Sequence, residues 1–189
     1  MGKYGTHLPA LQCAVSATTG PVLELGQGRR STPFLDQACG PDRWLVSVEN
    51  NRKYFRPLAG PKRRPVLLSD WDDLYKLDFS ALNFPNPPFD VALIDHAPAA
   101  RRIVDIARLV GQVRLFVVHD TESPEYGYEH LLLEFLYQFE DRRTKPWTSV
   151  VSNDLAAFDR FMVLAKDLPG EHVVRYGSST RLALPVASK

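Results

Sequence analysis

Residues 21–32 read PVLELGQGRRST. A short apolar run is followed by Gly26 and Gly28, and then by Thr32-Pro33, where a hydroxyl side chain before a proline predicts the start of a helix. Glycine lets the backbone turn tightly and lets a ligand approach it closely. The first amide groups of the following helix point towards the same place. The stretch therefore predicts a strand, a glycine turn and a helix that together form a cradle for a nucleotide.

Similar apolar runs recur along the chain. They lie at residues 21–25, 43–48, 65–68, 89–94 and 113–118. Each run is nearly continuous rather than alternating, which is typical of strands buried on both faces of a parallel sheet. The connections are long enough for crossovers, which are right-handed by strong preference.

Helical patterns lie between and after these runs. Helices are predicted at residues 32–38, 99–110, where Ile103, Ile106 and Val110 have helical spacing, and 128–136. The repeated order of strand and helix indicates a doubly wound α/β fold.

The last part of the chain has a different pattern. Residues 136–153, LYQFEDRRTKPWTSVVSN, predict two strands joined by a polar turn. An amphipathic helix follows around 155–165, and the segment HVVRYGSSTRLAL is a candidate for one more small hairpin. We therefore predict an α/β fold with a doubly wound, mostly parallel seven-stranded sheet that ends in a C-terminal antiparallel hairpin.

The composition limits the classes of protein to consider. The 189 residues suit a single domain (1–189), with a core at about 20–153 and an extension at 154–189. The net charge of +1 provides no global basic field, so no nucleic-acid partner is expected. Cys13 and Cys39 lack metal-site spacing, which suits a reducing cytoplasm. No apolar stretch approaches the roughly 18 residues of a membrane span, so no membrane partner is expected. The sequence leaves a homo-oligomer open.

Acids follow the first three predicted strands. Glu24 lies beside the glycine turn, where a carboxylate repels a pyrophosphate but suits a cationic ligand with an amine or a sulfonium. A dinucleotide fingerprint would also need a third glycine at Ser31. Glu49 ends the second strand and could accept the hydroxyls of a ribose. After the third strand, Asp70 could accept an adenine amino hydrogen and Trp71 could stack on the ring.

These segments resemble the class I S-adenosylmethionine-dependent methyltransferases. The stretches VLELGQGRRST, LVSVENN, LLSDW and FDVALIDH follow the order and rough spacing of that family over about residues 20–153. The resemblance implies that the glycine loop faces the methionine part of S-adenosylmethionine, the second-strand acid holds the ribose and the third-strand acid reads adenine. The implied cofactor-binding residues are Glu24, Gly26, Gly28, Ser31, Thr32, Glu49, Asn50, Asp70 and Trp71. One of Arg29 and Arg30, which depart from the family pattern, could pair with the cofactor carboxylate.

Candidate catalytic residues follow the fourth and fifth strands. They are Asp95, His96, His119 and Asp120. In an open α/β sheet, ligands collect beyond the carboxyl ends of the strands, so these residues should lie beside the methyl group. Methyl transfer depends mostly on positioning, and a histidine or carboxylate can accept the proton of a hydroxyl acceptor.

A divalent metal is a further candidate at this place. Asp95 and Asp120 are hard oxygen ligands that could hold magnesium. The segment LIDH is similar to that of catechol-type O-methyltransferases, which place Asp-Asn after the fifth strand where this chain has Asp120-Thr121. From residues 3–11, Tyr4 and His7 could line the acceptor site, or the segment could be an ordinary helix packed on the sheet.

The sequence therefore predicts a methyltransferase that acts on an oxygen of a small molecule. The Asn/Asp-Pro-Pro-Tyr signature of many amino-group methyltransferases is absent after the fourth strand, where DHAP stands instead. Three alternatives stay open: an enzyme that cleaves or cyclises the same cofactor, a non-catalytic cofactor-binding partner protein, and an NAD-dependent oxidoreductase. The last of these would need the missing third glycine.

Overall fold

The fold is an α/β sandwich built on one sheet. A computed structural model describes residues 5–77, 89–177 and 179–182, the last without side chains. The strands are β1 (Val22–Leu25), β2 (Leu45–Glu49), β3 (Arg63–Leu67), β4 (Phe89–Ile94), β5 (Val113–His119), β6 (Tyr137–Asp141), β7 (Thr148–Ser152), β8 (His172–Tyr176) and β9 (Ser179–Leu182). The helices are α1 (Leu8–Ser16), α2 (Ser31–Cys39), α3 (Ala99–Leu109), α4 (Tyr128–Leu133) and α5 (Leu155–Ala165), with two 3₁₀ helices at Trp71–Lys76 and Pro124–Tyr126.

The strand order places a crevice at the centre of the sheet. The order is β3-β2-β1-β4-β5-β7-β6-β8-β9. Strands β1 to β5 are mutually parallel, and β7, β6, β8 and β9 continue as antiparallel neighbours. The order changes direction between β1 and β4, where Leu25 is level with Ile94. The loops after these two strands therefore open at the same point, where ligands bind in such sheets.

The predicted fold class is confirmed, with one correction to the sheet. The described strands number nine rather than seven. The two additional strands, β8 and β9, are the small hairpin for which the C-terminal segment was a candidate. The sequence alone left this hairpin open because short strands at a sheet edge carry a weak apolar pattern. The division into a single domain with an extension at 154–189 stays a prediction.

The buried face of α3 differs from the predicted one. The residues that α3 buries are Arg102, Asp105, Ile106 and Leu109, whereas Val110 is 45% exposed. This face includes an ion-pairing arginine and aspartate, so an apolar pattern could not find it.

Strand alternation separates the core into two layers. Val22, Leu93 and Val117 face a cluster that includes α1, α2 and α5, whereas Leu23 and Ile94 face a cluster with α3, α4 and the first 3₁₀ helix. Because successive side chains of a strand point to opposite faces, residues one position apart at a strand end also diverge. None of the helices in the described part of the chain has the length and apolar character that crossing a bilayer requires.

Candidate active site

Gly26 allows the end of β1 to lie directly against the end of β4. Its φ is +92°, and a Cβ there would come within 2.6 Å of the carbonyl oxygen of Asp95 and the backbone of His96. A side chain at this position would clash with main-chain atoms that cannot rotate away. The glycine therefore sets the distance between the turn and the residues that follow β4.

A buried carboxylate supports the turn from below. Glu24 is fully buried and accepts hydrogen bonds from the hydroxyls of Thr32, at 3.0 and 3.1 Å, and of Ser47. Burial raises the pKa of Glu24 to about 7. Thr32 does not cap α2, which begins at Ser31. Its hydroxyl accepts a hydrogen bond from the amide of Gly28 and donates one to the carboxylate of Glu24. Glu24 and Thr32 thus hold the loop in shape.

The acid at the end of β2 also contacts the loop. Glu49 Oε2 accepts a hydrogen bond from the amide of Gln27 at 2.9 Å, and Oε1 accepts from the amides of Asn50 and Asn51 at 2.9 and 2.8 Å. The Gln27 side chain in turn pairs with both backbone groups of Arg56. These contacts bring the segment after β2 over the glycine loop.

Asp70 and Trp71, which follow β3, stabilise the local structure. Asp70 is exposed and caps the 3₁₀ helix by accepting a hydrogen bond from the amide of Asp72 at 2.8 Å. Trp71 is buried, its indole N–H donates to the carbonyl of Ala97 at 2.7 Å, and its ring lies 4.3 Å from that of His96. Neither side chain is among those that line the cavity described below.

Asp95 and His96 diverge, as strand alternation requires. His96 lies on the α3 side, where its Nε2 is 2.8 Å from the buried carboxylate of Asp105. Asp95 lies on the α1 side, where its Oδ1 is 3.1 Å from Nδ1 of His119. The structure therefore brings together Asp95 and His119 and removes His96 from them.

Asp95 and His119 shift each other's pKa. Burial acts to raise the pKa of Asp95, but the hydrogen bond and charge of His119 and the charge of Arg102 outweigh it and lower that pKa. Burial acts to lower the pKa of His119, but the hydrogen bond and charge of Asp95 outweigh it and raise that pKa. Both groups therefore favour their charged forms.

Residues just before α1 complete this cluster. Thr6 Oγ1 is 2.9 Å from Nε2 of His119 and donates its own proton to the carbonyl of Pro146 at 2.7 Å. His7 is 4% exposed, and its ring centroid lies 4.7 Å from that of His119. Burial lowers the pKa of His7 to about 4. The segment before α1 therefore lies at the site as well as on the sheet; Tyr4 lies outside the described residues.

Arg102 connects Asp95 with Asp120. Its guanidinium donates to Asp95 Oδ1 at 3.1 Å and to Asp120 Oδ2 at 2.8 Å, and it is 6% exposed. Asp120 has a φ of 63°, the left-handed region that costs energy for a residue other than glycine. A magnesium ion shared by Asp95 and Asp120 does not fit these contacts, because a cation already joins the two carboxylates.

A cavity of about 580 Å³ opens above this cluster. One side is the loop at residues 27–31, and the other is formed by Gly5, His7, Asp95 and His119, with Tyr54 at the rim. Its volume lies within the range of small-molecule and cofactor sites. The residues named from the sequence that line it directly are His7, Gly28, Arg29, Arg30, Ser31, Asp95 and His119.

The fold is similar to those of several solved structures. The O-methyltransferase TomG from Streptomyces achromogenes, involved in tomaymycin synthesis and crystallised with SAM, is 18% identical, with a TM-score of 0.55 over 78% of this chain and 79% of that chain. The chain has the fold of the class I S-adenosylmethionine-dependent methyltransferases. Cofactor-bound Rv0187 from MTB is 17% identical, with a TM-score of 0.55 over 78% and 79% of the two chains. The O-methyltransferase from Bacillus cereus in complex with SAH is 13% identical, with a TM-score of 0.51 over 77% and 80%.

The sequence itself has no match of this kind. No protein-family model matches it, and neither does any curated protein. The similarity to solved structures is therefore evidence for the methyltransferase fold alone. Conclusions about function depend on the residues of the site.

Several residues of the site escaped the sequence-based prediction. Arg102, Thr6 and Gln27 were not singled out from the sequence. A signal for Arg102 was present, because Arg102, Asp105, Ile106 and Leu109 have helical spacing once a paired arginine and aspartate are allowed on the buried face.

We predict that Gly26→Ala is more destabilising than Gly111→Ala. Both glycines have a left-handed φ, but a Cβ at Gly111 would meet nothing within 4 Å. Comparison of the two variants therefore isolates the clash with β4. This clash should lower the free energy of unfolding of Gly26→Ala by at least about 2 kcal/mol more than that of Gly111→Ala. Urea unfolding of both variants measures the difference. Equal destabilisation would contradict the tight packing of the turn against β4.

We also predict that Glu24 makes a pH-dependent contribution to the free energy of unfolding. The unfolded chain releases this proton near pH 4.5, whereas the folded chain keeps it to about pH 7. Between these values the folded state binds more protons, so the free energy of unfolding falls as pH rises, by about 3 kcal/mol from this residue. Glu24→Gln should remove that fall in denaturant unfolding measured from pH 4 to 8. The exposed control Glu125→Gln should retain it, and an unchanged slope in Glu24→Gln would refute the assignment.

Proposed function

We propose that this chain is an S-adenosylmethionine-dependent methyltransferase that acts on an oxygen of a small molecule. The observation that carries the proposal is the cavity between the glycine loop and the Asp95–His119 pair. A cofactor that lies along the loop would direct its reactive end towards that pair. The likeness to O-methyltransferases crystallised with SAM or SAH supports both the cofactor and the type of reaction.

The residues of the loop suit the methionine part of the cofactor. Gly28 and Ser31 line the cavity at the start of α2, where helix amide groups favour negative charge. Arg29 and Arg30 are exposed at the same rim. Either guanidinium could bind the cofactor carboxylate in a bidentate pair.

Glu49 keeps some capacity for the ribose. An ionised carboxylate offers about four acceptor positions, and the amides of Gln27, Asn50 and Asn51 use three of them. One position is left for a ribose hydroxyl. Asp70 is exposed after β3 and stays the proposed partner of the adenine amino group, whereas the buried Trp71 ring packs on His96 instead.

The Asp95–His119 pair suits the proton of a hydroxyl acceptor. S-adenosylmethionine, when bound, would supply the methyl group: the acceptor oxygen would bond to the methyl carbon as the carbon–sulfur bond breaks, with S-adenosylhomocysteine as the second product. The hydroxyl proton passes to the neutral form of His119, which Asp95 orients. Because Asp95 raises the pKa of His119, the neutral imidazole is a stronger base than an isolated one.

Calorimetry tests the cofactor part of the proposal. We expect S-adenosylhomocysteine to bind with 1:1 stoichiometry and to raise the melting temperature, because a ligand specific for the folded state stabilises it. NAD should produce neither effect. Binding of NAD instead of S-adenosylhomocysteine, or no binding of either, would contradict the proposal.

A transfer assay tests the chemical part. Labelled S-adenosylmethionine and a panel of small phenols and alcohols should give a labelled methyl ether with the unmodified protein. His119→Ala should lower the rate by about 10²–10⁴-fold while still binding S-adenosylhomocysteine. His130→Ala, exposed on α4, is the matched control and should be fully active. Cofactor breakdown without any methylated product would point to a cleaving enzyme.

A further inference from the structure

Among the described residues, the side chains grouped closely enough to hold a metal ion are not the predicted pair of carboxylates. Ligand atoms of His7, Asp95 and His119 lie within 4.8 Å of one another, whereas Asp95 and Asp120 share Arg102. We propose that His7, Asp95 and His119 form a site for a divalent transition metal of the Zn²⁺ class. Its remaining coordination positions would face the cavity.

His7 supplies the first argument. Its ring is 96% buried, lines the cavity, and has no hydrogen-bond partner at Nδ1 or Nε2 among the described residues. A buried polar group without a partner destabilises the folded state. A metal ion next to Asp95 and His119 would satisfy one of these nitrogens.

The separation of Asp95 and His119 supplies the second argument. Oδ1 and Nδ1 are 3.1 Å apart. Two ligand atoms at about 2.1 Å from one ion, in tetrahedral or octahedral geometry, lie about 3.0–3.4 Å apart. The two side chains therefore already have the spacing of neighbouring metal ligands, and a rotation of the His7 side chain would complete the set.

The hydrogen bonds around His119 supply the third argument. The hydroxyl of Thr6 donates its hydrogen bond to the carbonyl of Pro146. Nε2 of His119 must therefore be protonated in order to donate a hydrogen bond to Thr6 Oγ1. The lone pair of Nδ1 then faces Asp95 and is free for a metal. A metal-bound histidine usually donates its other ring N–H in this way, which fixes the tautomer. Without a metal, the same contacts require a second proton on His119.

The charges around the cluster are compatible with a bound cation. Asp95 and Asp120 carry two negative charges, and Arg102 compensates for one of them. The second proton that His119 carries without a metal compensates for the other, so a metal ion would displace that proton and take over its charge. Two nitrogens and one oxygen suit zinc, cobalt or nickel better than magnesium, which prefers oxygen ligands. The site is argued from these contacts alone, and it is an alternative to the role of His119 as a base, because a metal-bound His119 with a protonated Nε2 has no lone pair for the hydroxyl proton.

Metal titration of the full chain tests this site. Protein freed of metals with a chelator and then dialysed should bind one equivalent of Zn²⁺ or Co²⁺ in calorimetry, at least ~100-fold more tightly than Mg²⁺. His7→Gln should weaken Zn²⁺ binding by at least about 100-fold. His130→Gln, the exposed control, should bind Zn²⁺ as the unmodified protein does. Absence of Zn²⁺ binding, or unchanged binding in His7→Gln, would overturn the proposal.

A second measurement uses the unmodified protein, so it does not depend on whether a variant folds. Among the five histidines of the chain, Zn²⁺ should shift the imidazole ¹⁵N resonances of His7 and His119 and leave that of His130 unchanged. Nδ1 of His119 should change from a protonated to a metal-bound nitrogen. Shifts confined to other histidines would overturn the proposal. S-adenosylhomocysteine calorimetry on the same samples is read separately, so failure of the metal site is distinguishable from failure of the proposed function.

Discussion

The buried guanidinium of Arg102 determines the arrangement at the centre of the sheet. It donates to the side chains of Asp95 and Asp120 and to the carbonyls of His96 and His119. These contacts join the residues that follow β4 to those that follow β5. Removal of one partner from such a buried ion pair leaves an uncompensated charge, which is strongly destabilising. The position of Asp95 beside His119, and hence the floor of the cavity, depends on this one side chain.

Strand alternation and one glycine position the remaining parts. Glu24, Asp95 and His119 each continue the face of the sheet that packs on α1 and α2, so all three are brought to the same side. Gly26 then lets the turn approach the end of β4. Glu24 lies beneath the loop and organises it through hydroxyl groups, while its neighbours on the loop face the cavity. A supporting layer of this kind holds a ligand-binding loop in one shape before the ligand arrives.

The sequence was sufficient for the parallel part of the sheet and for the loop because both depend on local patterns. Continuous apolar runs predict buried parallel strands, and glycines between a strand and a helix predict the turn. The partners of polar side chains depend on tertiary packing, which spacing does not encode. Arg102 was therefore missed, and His96, expected beside Asp95, lies on the opposite face with Asp105. The sequence left open whether the segment that contains His7 lines the site or packs on the sheet. In the structure this segment does both.

The proposed function requires that the sulfur atom of the cofactor lie between the glycine loop and the Asp95–His119 pair. A crystal structure with S-adenosylhomocysteine is the sharpest test. We expect the sulfur atom in the cavity between Gly28 and His119, with the amino-acid end along residues 28–31. A nucleoside bound elsewhere on the protein, or a sulfur atom directed away from His119, would refute the proposed function.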